Sequence, residues 1–176
     1  QANMTVQQAL DLWPNLMTTG MRLGSPATAA DPSLSGSWLE EFMDGAKARG
    51  YRVDFVCVHW YGEEFDIEGA VNRLKNFLQA VHHKFQLPIW LTEYSLIRWS
   101  SPPTYPSWEQ QATFASKSIE MLETLPFVER YAWYSLSPWM KDGSDGNSLY
   151  YQDGNLTPAG VAYQKGPTRS PSTTMP

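Results

Sequence analysis

Apolar and polar positions alternate between two periods along this chain. "TVQQALDLWPNL" carries Val6, Leu10 and Trp13 at helical spacing behind a Thr5–Gln8 capping box. "MRLGSPA" reads as a short strand ending in a Gly-Ser-Pro turn. "SWLEEFMDGAKARG" places Leu39, Phe42, Met43 and Ala46 on one helix face, with Gly50 as the stop. "VDFVCVHWYG" is apolar at nearly every position, the signature of a strand covered on both faces. Ile67, Val71, Leu74, Leu78, Val81 and Phe85 recur at steps of three and four, which predicts a long amphipathic helix. "PIWLTEYSL" gives a third strand. "SWEQQATFASKSIEMLETL" gives a helix with a Ser107–Gln110 capping box and a stripe of Trp108, Ala112, Ala115, Ile119 and Leu122. "VERYAWYSLS" is a fourth strand, followed by a hairpin turning at Asp153-Gly154 and a short helix from Pro158.

The resulting order, α-β-α-β-α-β-α-β-α, predicts an α/β fold with a parallel sheet and right-handed crossovers. Two architectures fit: an open doubly wound sheet, or half of a (β/α) barrel. A nucleotide-binding open sheet would carry a glycine-rich phosphate turn after a strand, and neither G-x-G-x-x-G nor G-x-x-x-x-G-K occurs. Polar and aromatic residues instead gather just after each strand: Arg22 to Ser25, His59 to Tyr61, Glu93 to Tyr94, and Trp133 to Trp139. In a barrel the C-terminal strand ends form the active face.

Composition narrows the chemistry. The net charge of −5 and the lack of any Lys/Arg run disfavour a nucleic-acid partner. The single cysteine, Cys57, allows no internal disulfide and reads as a small buried apolar residue. No apolar run approaches the length of a membrane span. Two N-x-T sequons, at Asn3 and Asn155, permit a secreted location. His82 and His83 are adjacent on a helix and point to different faces, so no metal constellation stands out, and no cofactor motif is present. Eight Trp, nine Tyr and seven Phe make 14% of the chain, enough to line a sugar-sized cleft as well as a core.

Glu93 is the pointed feature. A carboxylate at the end of "PIWLTE" is costly unless it is paired or used. Because side chains alternate, an inward Glu93 would share its face with Leu91 and Ile89, and an inward His59 would share its face with Cys57, Phe55 and Val53. Consecutive strands would put His59 and Glu93 roughly 5 Å apart. Glycosidases need two carboxylates about the bond they cut. The partners for Glu93 within the chain are Glu63, Glu64, Asp142 and Asp145, all in loops and each read as a solvated charge.

"MRLGSPA", "VDFVCVHWYG", "LPIWLTEYSL" and "YAWYSL", in this order, resemble the glycosyl hydrolase catalytic core of the alkali-sensitive-linkage-protein type, glycoside hydrolase family 128. The resemblance implies a (β/α)8 TIM barrel, of which this chain would be the last four β/α units, and a retaining hydrolase of β-1,3-glucan, secreted or wall-associated. It carries Glu93 over as the nucleophile. His59, Trp60 and Tyr61, with Tyr94, Trp133, Tyr134 and Trp139, would line the substrate cleft, where rings stack on glucose. The family's acid/base glutamate lies in an Asn-Glu-Pro motif that these 176 residues lack. The expectation is therefore a fragment: residues 1–165 as the C-terminal half of the catalytic domain, and 166–176 as a Pro/Ser/Thr-rich tail or linker. The alternative is a non-catalytic carbohydrate-binding wall protein that keeps the aromatic cleft without the acid pair.

Overall fold

The computed structural model describes residues 2–138 and 145–167. Trp139, Asp142 and the tail from position 168 lie outside the described residues. The elements are α1 (Val6–Met17), α2 (Trp38–Ala48), β1 (Val56–Gly62), α3 (Ile67–Phe85), β2 (Ile89–Leu96), α4 (Trp108–Leu122), β3 (Val128–Trp133) and α5 (Pro158–Lys165).

The sheet has three strands in the order β1-β2-β3. Val56 N–H at the start of β1 donates to Pro88 O just before β2, and Ile89 N–H at the start of β2 donates to Phe127 O just before β3. Neighbouring strands thus begin side by side, which makes the sheet parallel and agrees with the helical crossovers. This corrects the (β/α)8 TIM-barrel expectation. The sheet is open, and its strands do not close on themselves. The expected share is the last four strands of an eight-stranded barrel, and the described residues provide three in an open sheet. "MRLGSPA" does not become a strand either. Gly24 makes one parallel bridge to Phe55, with Asp54 N–H donating to Leu23 O and Ser25 N–H to Phe55 O. A side chain at Gly24 would strike the Phe55 ring at 2.3 Å, so glycine leaves that ring its place beside the bridge.

Two compact units divide the described chain. The first holds the residues up to Trp60 with Asn76–Tyr94 and Phe127–Ala132; the second holds Tyr61–Lys75, Ser95–Pro126 and the described residues from Trp133 onward.

In the first unit the helix signals act as expected. Thr5 and Gln8 form the reciprocal capping box of α1, and Ser37 caps α2 through Glu40 N–H. Gly50 ends α2 with φ +67°, where a side chain would be strained. Leu10 and Trp13 of α1 meet Leu39, Phe42 and Ala46 of α2, all buried, and the Trp13 ring stands edge-on to Phe42 at 4.9 Å. Each such side chain removed from water contributes about 1.5–3 kcal/mol. Val56 and Val58 of β1 and Ile89 and Leu91 of β2 are also buried.

In the second unit α4 packs on α5. The buried stripe of α4 is Gln111, Phe114, Ala115, Ser118, Ile119 and Leu122, rotated from the predicted one so that Trp108 and Ala112 are only half-buried. The rotation serves Gln111. Its amide donates to Leu96 O at 2.7 Å and accepts from Leu96 N–H at 3.4 Å, satisfying backbone at the end of β2. The hairpin forms where expected: Tyr150 bridges Leu156 antiparallel, and Gly154 takes φ +84°. Among the described residues no helix is long and apolar enough to cross a membrane.

Candidate functional site

The C-terminal halves of β1 and β2 bring two predicted residues together in the first unit. His59 Nδ1 lies 3.3 Å from Glu93 Oε2, with the two side chains 17% and 31% exposed. A carboxylate only accepts, so Nδ1 carries the proton in this contact. The register behind it is fixed by Thr92, whose hydroxyl donates to Val58 O at 3.3 Å.

Burial explains which way these groups point. Along β1, Val56 and Val58 are buried while Cys57 and His59 are half-buried, so His59 stands on the more accessible face. Along β2 the alternation of buried Ile89 and Leu91 with half-buried Trp90 and Thr92 breaks at Glu93, which is half-buried, and Tyr94 to Leu96 are all buried. Glu93 therefore does not share the environment of Ile89 and Leu91, as strict two-residue alternation would require. The break leaves its carboxylate within reach of water and of the imidazole. Burial pushes the Cys57 thiol up to about 11, in keeping with a structural side chain. Its backbone N–H donates to Ser25 Oγ.

The low edge of the same unit carries a second charge cluster. Glu129 pairs with Arg22 at 3.0 Å and accepts from Trp90 Nε1 at 2.9 Å. These bonds, Arg22 first, hold the Glu129 carboxyl below the usual range. Phe55 stacks on Trp90 at 4.0 Å, with Arg130 over the Trp90 ring.

In the second unit, rings rather than charges are assembled. Tyr61 stands edge-on to Tyr134 at 5.7 Å and to Trp99 at 5.2 Å. Tyr61 and Tyr134 are half-buried; Trp99 is 48% exposed. Beneath them, Asn147 is fully buried. Its side-chain amide N–H donates to Tyr134 O at 2.7 Å and lies 3.5 Å from Ser95 Oγ, while its backbone carbonyl accepts from Trp133 Nε1 at 2.6 Å. Tyr105 lies near Asp145, and burial, then that negative charge, pushes its phenol up to about 12.

Two residues predicted for the cleft are buried. Tyr94 is wholly buried, its ring edge-on to Tyr131, and Trp133 is buried near Phe114 and Tyr163. Both serve the core, because residues on the covered face of a strand have no solvent to meet. Trp60 is half-buried. Asp145 is not the solvated loop charge that the sequence suggested; it is completely buried. Glu63 and Glu64 are exposed, and Glu64 pairs with Arg73. Among the described residues no cluster of His, Cys, Asp or Glu could hold a metal ion. Trp99 and Asn147 are the residues that sequence reasoning missed. Trp99 carries the signal used at the other strands, an aromatic just past a strand end. Asn147 carries none, since its role depends on burial.

Comparison with known proteins gives these strand ends a context. A profile of the family described as "Glycosyl hydrolase catalytic core" matches residues 1–163. Alkali-sensitive linkage protein 1 of Schizosaccharomyces pombe is 31% identical over 143 residues, covering 80% of this chain. The chain spans 24% of that curated relative's length. Among solved structures, an endo-β-1,3-glucanase of glycoside hydrolase family 128 subgroup I from Amycolatopsis mediterranei is 50% identical, with a TM-score of 0.87 over 94% of this chain and 67% of its own. It was crystallised as a Glu→Ala variant with laminaritriose and laminaribiose, and as a Glu→Gln variant with laminarihexaose. A subgroup II endo-β-1,3-glucanase from Sorangium cellulosum is 27% identical, with a TM-score of 0.75 over 97% of this chain and 66% of its own.

Proposed function

The chain belongs to the glycosyl hydrolase catalytic core family, and on that premise we propose that residues 1–165 are the C-terminal part of a catalytic domain that hydrolyses β-1,3-glucan with retention. In this reading Glu93 is the nucleophile. Its Oε attacks the anomeric carbon as the bond to the leaving glycosidic oxygen breaks, giving a glycosyl-enzyme. A second carboxylate protonates the leaving oxygen, then takes a proton from the water that releases the sugar. That acid/base group comes from a segment outside these 176 residues, which hold no Asn-Glu-Pro. Residues 166–176, rich in Pro, Ser and Thr, are a tail or linker, and the protein works outside the cell or at the wall.

The observation that carries this reading is the His59–Glu93 contact at 3.3 Å on adjacent strands, in a chain whose family match runs through both. The Nδ1 contact with Oε2 orients the carboxylate for attack. The half-buried rings of Tyr61 and Tyr134 offer apolar faces of the kind that bind pyranose C–H surfaces, with Trp60 and Trp139 expected to contribute likewise. Support for the substrate is the 50% identity to a glucanase crystallised with laminari-oligosaccharides.

The test is Glu93→Gln in the full-length protein. Reducing-sugar release from laminarin should fall at least about a thousandfold, as expected when a group that makes a bond in the transition state is lost, while laminarihexaose affinity stays within a few-fold. Undiminished hydrolysis removes the nucleophile assignment. Glucan binding without any reducing-sugar release in the unmodified protein would favour the carbohydrate-binding wall protein instead.

A further inference from the structure

The sequon Asn155-Leu156-Thr157 has no part in the chemistry above. It spans the second arm of the hairpin in the second unit, and its two ends meet opposite environments. Asn155 is exposed. Its side-chain Nδ2 donates to Asp153 Oδ2 at 2.9 Å, and its backbone N–H donates to Asp153 Oδ1 at 2.9 Å. These bonds lie at the surface, where water replaces a lost partner at little cost. Tyr151 N–H donates to Asn155 O at 2.8 Å, which sets Tyr151 across the turn from Asn155. Opposed residues of a hairpin project to one side, and Tyr151 is 39% exposed. A bulky hydrophilic group on Asn155 Nδ2 therefore meets solvent and shields apolar ring surface, and it displaces no buried contact.

Thr157 is the opposite case, since it is fully buried. Its hydroxyl donates to Ser148 O at 2.7 Å and accepts from Gly160 N–H at 3.0 Å as the N-cap of α5. A hydroxyl at this position is part of what defines the sequon. An enzyme that reads it must therefore reach Thr157 before the hairpin and α5 close over it.

We infer that Asn155 is an N-glycosylation site, loaded while this segment is still unfolded and sealed afterwards by the capping of α5. The inference rests on the reading above that the protein leaves the cell. The donor is an oligosaccharide carried on a lipid pyrophosphate. Asn155 Nδ2 attacks the anomeric carbon of its first sugar as the bond from that carbon to the pyrophosphate oxygen breaks. The lipid pyrophosphate departs with the electron pair, and one amide proton passes to a base of the transferase.

The full-length protein, carried through a eukaryotic secretory route by an added cleavable leader, tests the site. Peptide mapping after enzymatic deglycosylation in heavy-oxygen water should find a labelled aspartate at position 155 in most molecules. Asn155→Gln should lose that label and the mass of one glycan. Thr157→Ser, which keeps a capping hydroxyl, should retain both, and Asn3→Gln should leave the label at position 155 in place. An unlabelled position 155 in the secreted protein, or a glycan confined to Asn3, overturns the site. Folded protein made in bacteria should stay unmodified at Asn155 when given purified oligosaccharyltransferase and lipid-linked donor; modification there overturns the order of events. Fractionation of the source cells tests the extracellular reading separately. A protein found wholly inside them overturns that reading and leaves the leader-driven result standing.

Discussion

His59→Ala isolates what the imidazole does for Glu93. The substitution deletes the contact of Nδ1 with the Glu93 carboxylate at 3.3 Å and, because His59 is only 17% exposed, some packing beside it. A hydrogen bond to a charged group contributes about 1.5–3 kcal/mol when water cannot replace it. Here water can reach Glu93, which is 31% exposed, and 3.3 Å is longer than a strong charge-assisted contact. Screening and length bring the figure to about 1–2 kcal/mol. If the bond orients the carboxylate for attack, kcat on laminarin falls roughly 5- to 30-fold, with KM nearly unchanged. His59→Asn keeps an N–H donor near the position of Nδ1 and should recover much of that loss. Thermal unfolding serves as the control, since it reads the packing lost with a side chain that is only 17% exposed. Two results refute the reasoning: kcat unaltered in His59→Ala, or a loss that Asn does not restore and that follows a fall in Tm.

Two predictions concern stability. Gly160→Ala should destabilise the protein although alanine favours helix by about 1 kcal/mol, because the new Cβ would stand 2.0 Å from Leu149 O and 2.9 Å from Leu156 Cδ2. Forcing α5 off the hairpin costs about 1–3 kcal/mol or more, so Tm drops, and a raised Tm in a circular dichroism melt would show that the contact relaxes freely. The second concerns Glu129. Its folded-state pKa is depressed, chiefly by Arg22 and then Trp90, so its contribution is complete above the ordinary glutamate range and fades as pH falls through the lowered value. Glu129→Gln should flatten the acid limb of the stability–pH curve, and identical curves for the two proteins would remove Glu129 from the account.

The sequence alone determined whatever depends on neighbours a few positions away. Both capping boxes, Thr5–Gln8 and Ser107–Gln110, form as read, as do the Gly50 stop, the Asp153-Gly154 turn and the helix from Pro158. These are short-range matters, a side chain satisfying a backbone group within a turn, and local composition decides them. The meeting of His59 and Glu93 was legible too, because parallel strands joined by a helical crossover lie side by side. Tertiary structure decided everything that turns on burial or closure. An apolar run cannot state which neighbours will cover it, so three strands of an open sheet stand where four strands of a barrel were expected, and "MRLGSPA" shrank to one bridge at Gly24. Tyr94 and Trp133 went into the core, and the break in alternation at Glu93 left its side chain half-buried beside His59. Asp145 reads as a loop charge and is buried, while Asn147 reads as nothing and holds Tyr134 through a hydrogen bond 13 positions away. Such contacts are chosen by the packing of distant segments, where the desolvation of each polar group must be offset by whichever partner the fold brings near.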